Sequence, residues 1–556
     1  MRRTPVSAMP NGERTRRAFR PRIQNTTASG CNPELIGLIN TRGSGVCKSG
    51  LRGCPVNAEI DLLLINPGGR AKIYQELGDQ LTAVEPPLWC RLIGGYARDR
   101  GYTVEIIDAE ADGFGPEIVA EQVLARRPRL VSMIVFGHQP SASTQQMAAA
   151  RPICQAIKAH DAEQPIIIVG GHVAALPDQT LREEAVDFAC NSEGPATIQE
   201  LLDLLRGGAP YDFSRVQGLV WRDGDTIRNN LAPPLINDLD HNLHGNVWDL
   251  LPMERYRAHN WQCFGDLEAR KPYASIYTSL GCPYKCTFCC INAPFGQNRY
   301  RMRSPKAVAA EIDLLHNTYG VKTYKIIDEM FVLNERHVVG ICDELIARNY
   351  GLNIWAYARV DTVRPHMLKK LRAAGVRWLA LGIESGSEHV RDGAEKSFTQ
   401  NEIVDIIRQI QEAGISVIGN FIFGLPDDDI DTMRQTLELA LELNCEFANF
   451  YSAMAYPGSP LYHIAVEKGW ELPATWSGFS QHSYDCLPLR TDKVSAAQVL
   501  KFRDAAFERY FKSKRYLDMI TQKFGWDTRW HIEGMTQHKL RREIVEMDLS
   551  DARSVA

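Results

Sequence analysis

Ala274-Ser-Ile-Tyr277-Thr-Ser-Leu-Gly281-Cys282-Pro-Tyr-Lys-Cys286-Thr-Phe-Cys289 runs from an apolar strand into a loop with three cysteines. The C-x3-C-x2-C spacing lets three thiolates face one centre. Thiolates are soft ligands and suit iron–sulfur clusters or zinc. A structural zinc site asks for four ligands, often as two separated pairs. This stretch offers three and no convincing fourth, because Cys290 is adjacent to Cys289 and points elsewhere. Three ligands on a four-iron cluster leave one iron open to a small molecule.

Working outward, apolar runs recur at Ala274–Ser279, Tyr324–Ile327, Asn353–Tyr357, Trp378–Ile383, Ser416–Phe423 and Phe447–Met454, with helical stretches between them. Such alternation predicts a parallel, incomplete (β/α)6 barrel. The cysteine loop then lies at the carboxyl end of the first strand, where barrel active sites form. Upstream, strands at Ile60–Asn66, Thr103–Asp108, Leu130–Phe136, Pro165–Val169 and Val186–Cys190 alternate with helices at Pro86–Arg100, Pro116–Arg127, Thr144–His160 and Pro195–Leu205. This α/β pattern predicts a doubly wound parallel sheet whose ligands bind over the carboxyl ends of the strands. The domain expectation is a disordered leader over 1–57, the doubly wound domain over 58–210, and a hairpin and connector over 211–270. The barrel follows over 271–480 and a helical C-terminal region over 481–556. Asp-Gly within Gln217–Asn229 marks the hairpin.

Composition sets the outer limits. A net charge of −4, from 63 basic and 67 acidic residues, gives no pull toward nucleic acid or an anionic membrane. No apolar run reaches the roughly 18–20 residues of a membrane span. The Arg-rich leader lacks the apolar core of a secretory signal. A cytoplasmic location is expected, with Cys90, Cys154, Cys190, Cys342 and Cys445 as small buried hydrophobes. Cys31, Cys47 and Cys54 in the leader match no familiar ligand spacing.

The cysteine triad, with aromatic Phe288 before the third thiol, resembles the motif of the radical S-adenosylmethionine (SAM) superfamily. The resemblance implies that Cys282, Cys286 and Cys289 hold a four-iron four-sulfur (4Fe-4S) cluster whose open iron chelates SAM. One electron, from a donor such as flavodoxin or ferredoxin, then cleaves SAM to a 5′-deoxyadenosyl radical. The likeness extends along the barrel. Ile326-Ile-Asp328-Glu329-Met-Phe331 resembles the family's DDxF stretch, with Glu in place of the second Asp. Ala358-Arg359-Val-Asp361 and Leu381-Gly-Ile-Glu384-Ser385 resemble SAM-contacting strand ends. Asp328, Glu329, Arg359, Glu384 and Ser385 are thus candidate SAM residues. An Arg can pair with the SAM carboxylate, and Glu or Ser with its amino or ribose groups. The alternative is that these polar groups tie loops together.

A doubly wound domain ahead of such a barrel resembles the cobalamin-binding (class B) radical SAM methyltransferases, over roughly residues 58–480. Its strand-end loops are Asn66-Pro-Gly68-Gly-Arg70, Phe136-Gly-His138-Gln-Pro-Ser141, Gly170-Gly171-His172 and Ser192-Glu193-Gly194. They make Gly68, His138, Ser141, Gly170, Gly171 and His172 candidates for cobalamin. The D-x-H-x-x-G signature of His-ligated cobalamin proteins is absent, so the resemblance implies a base-off corrin with no imidazole from that motif. His138 and His172 are the imidazoles nearby, and a lone His is more often a hydrogen-bonded loop residue than a ligand. The G-x-G-x-x-G of dinucleotide-binding domains is also missing. A domain of this fold that binds nothing is the alternative.

The activity implied is methyl transfer: SAM methylates cobalamin, a second SAM makes the radical, and methylcobalamin methylates a small-molecule substrate. The acceptor is an unactivated carbon or a phosphinate phosphorus, in natural-product biosynthesis. Tyr74–Trp89 resembles the P-methylase type of phosphinothricin-tripeptide biosynthesis. Arg299, Arg301 and Arg303 would supply cations for an anionic substrate, unless the segment is simply a solvated basic face. A radical SAM oxidoreductase or cyclase is the competing enzyme. A corrinoid-carrying or zinc-stabilised interaction protein is the competing non-enzyme.

Overall fold

The computed structural model describes residues 60–69, 73, 75 and 81–554. The expected leader, with Cys31, Cys47 and Cys54, lies outside the described residues, as do Arg70, Tyr74 and residues 76–80.

The first sheet contains β1 (Leu62–Asn66), β2 (Val104–Asp108), β3 (Leu130–Ile134), β4 (Ile166–Val169), β5 (Phe188–Cys190), β6 (Leu219–Asp223) and β7 (Thr226–Asn229). Its order is β2-β1-β3-β4-β5-β6-β7. The first five strands are parallel. Leu62–Asn66 and Leu130–Ile134 are buried throughout, as strands covered by helices on both faces must be. The hairpin β6–β7 is not part of a free connector. It pairs antiparallel with β5 and extends this sheet.

The second sheet contains β8 (Tyr273–Ile276), β11 (Thr323–Ile326), β12 (Asn353–Arg359), β13 (Val376–Glu384), β14 (Ser416–Phe423) and β15 (Phe447–Ser452). These six strands are parallel and lie in sequence order, β8 and β15 forming its two edges. A short ladder of β9 (Ser279–Leu280) with β10 (Arg301–Met302) closes the base of the cysteine loop. The helix Ala496–Phe511 lies along β15. Its Arg503 Nε donates to the Phe450 carbonyl at 2.8 Å, and its Tyr510 hydroxyl to the Cys445 carbonyl at 2.6 Å. Trp261, from the connector, packs on Trp355, Trp378 and Phe447 inside the barrel.

The two α/β parts share apolar packing and buried ion pairs. Tyr277, Leu280, Phe295 and Ile327 belong to the same cluster as Trp89 and Phe136 of the first part. Glu311, fully buried, accepts from Arg91 on one oxygen and from Arg303 on the other, and Trp248 Nε1 adds a third bond. Arg301 pairs with Glu193 at 2.7 Å, again with both groups buried.

Candidate active site

The cysteine loop leaves β8, and buried Asp328 at the end of β11 anchors it. Asp328 accepts from the Thr278 amide and from the Thr278 and Ser279 hydroxyls. Its oxygens are thus committed to the loop, which supports the tie reading of this residue. Cys282, Cys286 and Cys289 line one cavity of about 290 Å³ at the carboxyl ends of the barrel strands, and Cys290, expected to point elsewhere, lines it as well. Among the described residues no three His, Cys, Asp or Glu side chains converge at single-ion spacing. A four-iron cluster accepts thiolates set wider apart than one ion does. Burial pushes the Cys282 thiol up to about 11 and raises Cys289 well above the usual thiol range, so cluster binding must displace protons. The soft donor set and shared wall fit a 4Fe-4S cluster.

Three predicted residues join the thiols on this wall. Arg359 ends β12, grips Asp361 through two bonds of 2.9 and 3.0 Å, lies over the Tyr284 ring, and brings Nη1 to 3.5 Å from Cys286 Sγ. Glu384 ends β13 with φ +67°, a strained conformation for a residue with a side chain, at a break in the β13–β14 register. It pairs with Lys396, which also lines the cavity. Glu329 faces the cavity with no ion-pair partner among the described residues, and burial raises its carboxyl to about 8. Ser385 is not on this wall. Its hydroxyl meets Thr436 at 3.1 Å and accepts from the Ser387 amide, so it secures the turn.

A second cavity, of about 480 Å³, fills the barrel lumen and reaches the strand ends of the first sheet at Asn66, Gly69, His138, Gln139 and Gln145. The two cavities share His138, Gln139, Gln145, Tyr357 and Tyr451. Ser141 lines the cluster cavity, and Gly171 lines a slot of about 50 Å³ beside it. Gly170 packs so closely on Val135 that a Cβ would sit 2.6 Å from its carbonyl oxygen. Gly68 packs on Ala109 and lines neither main cavity. His172 is buried, holds Thr144 at 3.2 Å, stacks edge-on against Trp476 and lines none of the three cavities. The loop over 137–141, with its unpartnered His138 Nδ1, fits the edge of a corrin site.

Two of the three expected substrate cations are engaged elsewhere. Arg301 and Arg303 are buried in ion pairs with Glu193 and Glu311, and Arg299 is exposed. Glu193 is thereby a domain tie. Sequence reasoning missed Lys396 and Lys325. A lysine inside the apolar strand Thr323–Ile326 was the available signal, since lysines are seldom buried unless paired. Lys396 offered none, because only the chain's return from Ser387 brings it to Glu384.

Comparison with known proteins agrees with this geometry. The Radical SAM superfamily model matches residues 276–440 and the B12 binding domain model matches 77–202. An uncharacterized methyltransferase of Pyrococcus horikoshii is 27% identical over 480 residues, covering 86% of this chain and 98% of its own. An anaerobic magnesium-protoporphyrin IX monomethyl ester cyclase of Synechocystis is 30% identical over 364 residues, 63% of this chain and 66% of its own. A cytidylyl-2-hydroxyethylphosphonate methyltransferase of Streptomyces wedmorensis is 24% identical over 456 residues, 74% and 83%. In fold, the chain matches the radical SAM methyltransferase TsrM of Kitasatospora setae, solved with cobalamin and a 4Fe-4S cluster. The TM-score is 0.61 at 17% identity, over 80% of this chain and 90% of that one. The chain thus carries the radical SAM domain and the B12-binding domain together, and methyltransferases are among its relatives. Its cofactors are the 4Fe-4S cluster, SAM and cobalamin. Among the described residues no helix is long and apolar enough to cross a membrane.

Proposed function

We propose that this enzyme methylates a small molecule held in the 480 Å³ cavity, at an unactivated carbon in preference to a phosphinate phosphorus. The observation that carries the reading is the junction of the two cavities, where the cluster thiols and the 137–141 loop open onto common space. When bound, the cluster supplies the electron that cleaves SAM, and the corrin carries the methyl group. Arg359 and Lys396 supply cations beside the thiols for the SAM carboxylate, and Glu384 supplies an acceptor for its amino or ribose groups. Tyr357 and Tyr451 stand at the junction, where a substrate carbon must be oriented and water excluded.

Carbon is favoured by what lines the larger cavity. Trp355, Tyr357, Phe447, Phe450 and Tyr451 form an aromatic wall, and its cations Lys325, Arg503 and Lys539 are paired with Glu85, Asp504 and Glu508. A phosphinate would have to displace one of these carboxylates. The likeness to a phosphonate methyltransferase supports a small-molecule acceptor. Likeness to a magnesium-protoporphyrin cyclase keeps ring formation as the second reading.

Anaerobically reconstituted protein given hydroxocobalamin, SAM and a reductant should release S-adenosylhomocysteine. Formation of 5′-deoxyadenosine alone would sink methyl transfer and favour the cyclase reading. Cys282→Ala should lose iron and all 5′-deoxyadenosine formation while still binding the corrin, as read by absorbance.

A further inference from the structure

We propose that Gln146 reads the rim of the corrin, its Oε1 accepting an N–H from one of the primary amides that the ring carries at its periphery. The inference rests on the reading of the first α/β part as a corrin site. It names a side chain that selects amide-bearing corrinoids, away from the metal.

Position is the first argument. In a parallel sheet, ligands bind where the strand order reverses. Here the order β2-β1-β3-β4-β5 puts that reversal between β1 and β3. The larger cavity enters the crevice there, lined by Asn66 and Gly69 after β1 and by Gln139, Gln145 and Gln146 after β3. Gln146 stands one turn into the helix Ala142–His160. Gln139 and Gln145 also line the cluster cavity, whereas Gln146 lines the larger cavity and not that one. A ligand group bound to Gln146 therefore leaves the space beside the thiols open.

Unmatched acceptors are the second argument. Gln146 Oε1 is buried and has no hydrogen-bond partner among the described residues. Buried polar groups are nearly always hydrogen-bonded, so a leftover oxygen facing a cavity marks a place for a donor that the protein does not supply. Asn66 stands across the same crevice. Its Nδ2 donates to Asp108 Oδ1 at 2.8 Å, which commits the nitrogen and leaves the oxygen as the acceptor for a ligand. The Tyr256 hydroxyl holds the other oxygen of Asp108 at 2.8 Å, and the Gly69 amide donates to Glu110 at 3.0 Å, so the wall after β1 is fixed before any ligand arrives. Glu110 lines the crevice too and adds carboxylate oxygens. The crevice is thus rich in acceptors. A corrin rim complements it with amide N–H groups, while carboxylates or esters at the same places would set oxygen against oxygen.

The test compares two corrins on the full-length protein, with affinity read by absorbance titration. Cobinamide carries primary amides at its rim. The methyl ester of cobyrinic acid keeps the rim carbonyls but has no N–H. The unaltered protein should bind cobinamide more tightly, by about tenfold. Gln146→Met keeps the length of the side chain and removes the amide oxygen. It should weaken cobinamide binding about three- to tenfold and leave binding of the ester unchanged. Equal or tighter binding of the ester by the unaltered protein, no loss of cobinamide affinity in Gln146→Met, or an equal loss for both corrins would overturn the contact while leaving the corrin site standing. Failure of the unaltered protein to bind either corrin would overturn the corrin reading and the contact together. The comparison on the unaltered protein requires no substitution, so it stands even if the variant folds poorly.

Discussion

Two sets of cations flank the cluster loop, and they behave oppositely. Arg301 and Arg303 lie close together in sequence, just beyond the cysteines, and look like a binding patch. Both are buried, and each terminal nitrogen of Arg303 has an acceptor: Glu311, the Tyr277 carbonyl or the Ala307 carbonyl. Lys325 and Lys396 are isolated in sequence, each within apolar or mixed surroundings. Both line a cavity, beside a carboxylate that also faces it. Arg301 fastens Glu193 of the first domain to the barrel, Arg303 holds the Glu311 that receives Arg91 from that domain, and the lysines face the space between. A buried ion pair whose partners are all protein is scaffold. One that opens on a cavity can exchange a partner for a ligand.

The sharpest way to break this comparison is Glu311→Leu, which leaves two buried guanidiniums without their shared carboxylate. A loss of about 3–5 kcal/mol is expected, seen as a large fall in melting temperature. An unchanged melt would mean the clamp does not hold the domains. Next in size is the pH response of the cluster-free protein. Glu329 binds its proton up to about pH 8 in the folded state but only to about 4.5 when unfolded. Between those values the folded state holds a proton that the unfolded chain releases. Stability is therefore greatest below the unfolded value and declines as pH rises toward 8, by on the order of 2–4 kcal/mol. Denaturant titrations of Glu329→Gln should be nearly flat over that window. Lys396→Met should weaken anaerobic SAM binding about tenfold, yet lower the melting temperature less than Arg303→Met does, because water in the cavity can reach Glu384. Equal effects of these two variants would erase the distinction between scaffold and cavity charges. Smallest of all, Arg299→Ala at an exposed position should move stability by no more than about 0.5 kcal/mol.

Much of the architecture was legible from local pattern. The alternation of apolar runs with helical stretches predicted both sheets, because a strand covered on both faces must be apolar along its whole length. Ser416–Phe423, buried at every position, is the clearest instance. The hairpin Gln217–Asn229 was legible as a hairpin but not as an extension of the first sheet. Its turn is set locally, whereas pairing with β5 depends on an edge that exists only once the sheet has formed. In the site, Arg359 and Glu384 were legible as strand-end residues. Ser385, one position further, was not separable from Glu384, since adjacent residues at a strand end face opposite ways and only the φ of +67° at Glu384 decides which side meets the cavity.

Sequence by itself determined the cysteine triad, the loop that carries it and the order of the two α/β parts, because spacing and periodicity are properties of neighbours along the chain. Tertiary structure alone decided the rest. It withdrew Arg301 and Arg303 into the domain contact, brought Lys396 to Glu384 and Lys325 to Glu85, and separated His138, open to the cavities, from His172, packed beside Trp476. Each depends on which groups meet across tens or hundreds of residues, and a side chain's charge or lone pair serves binding only where folding has left it unmatched by protein.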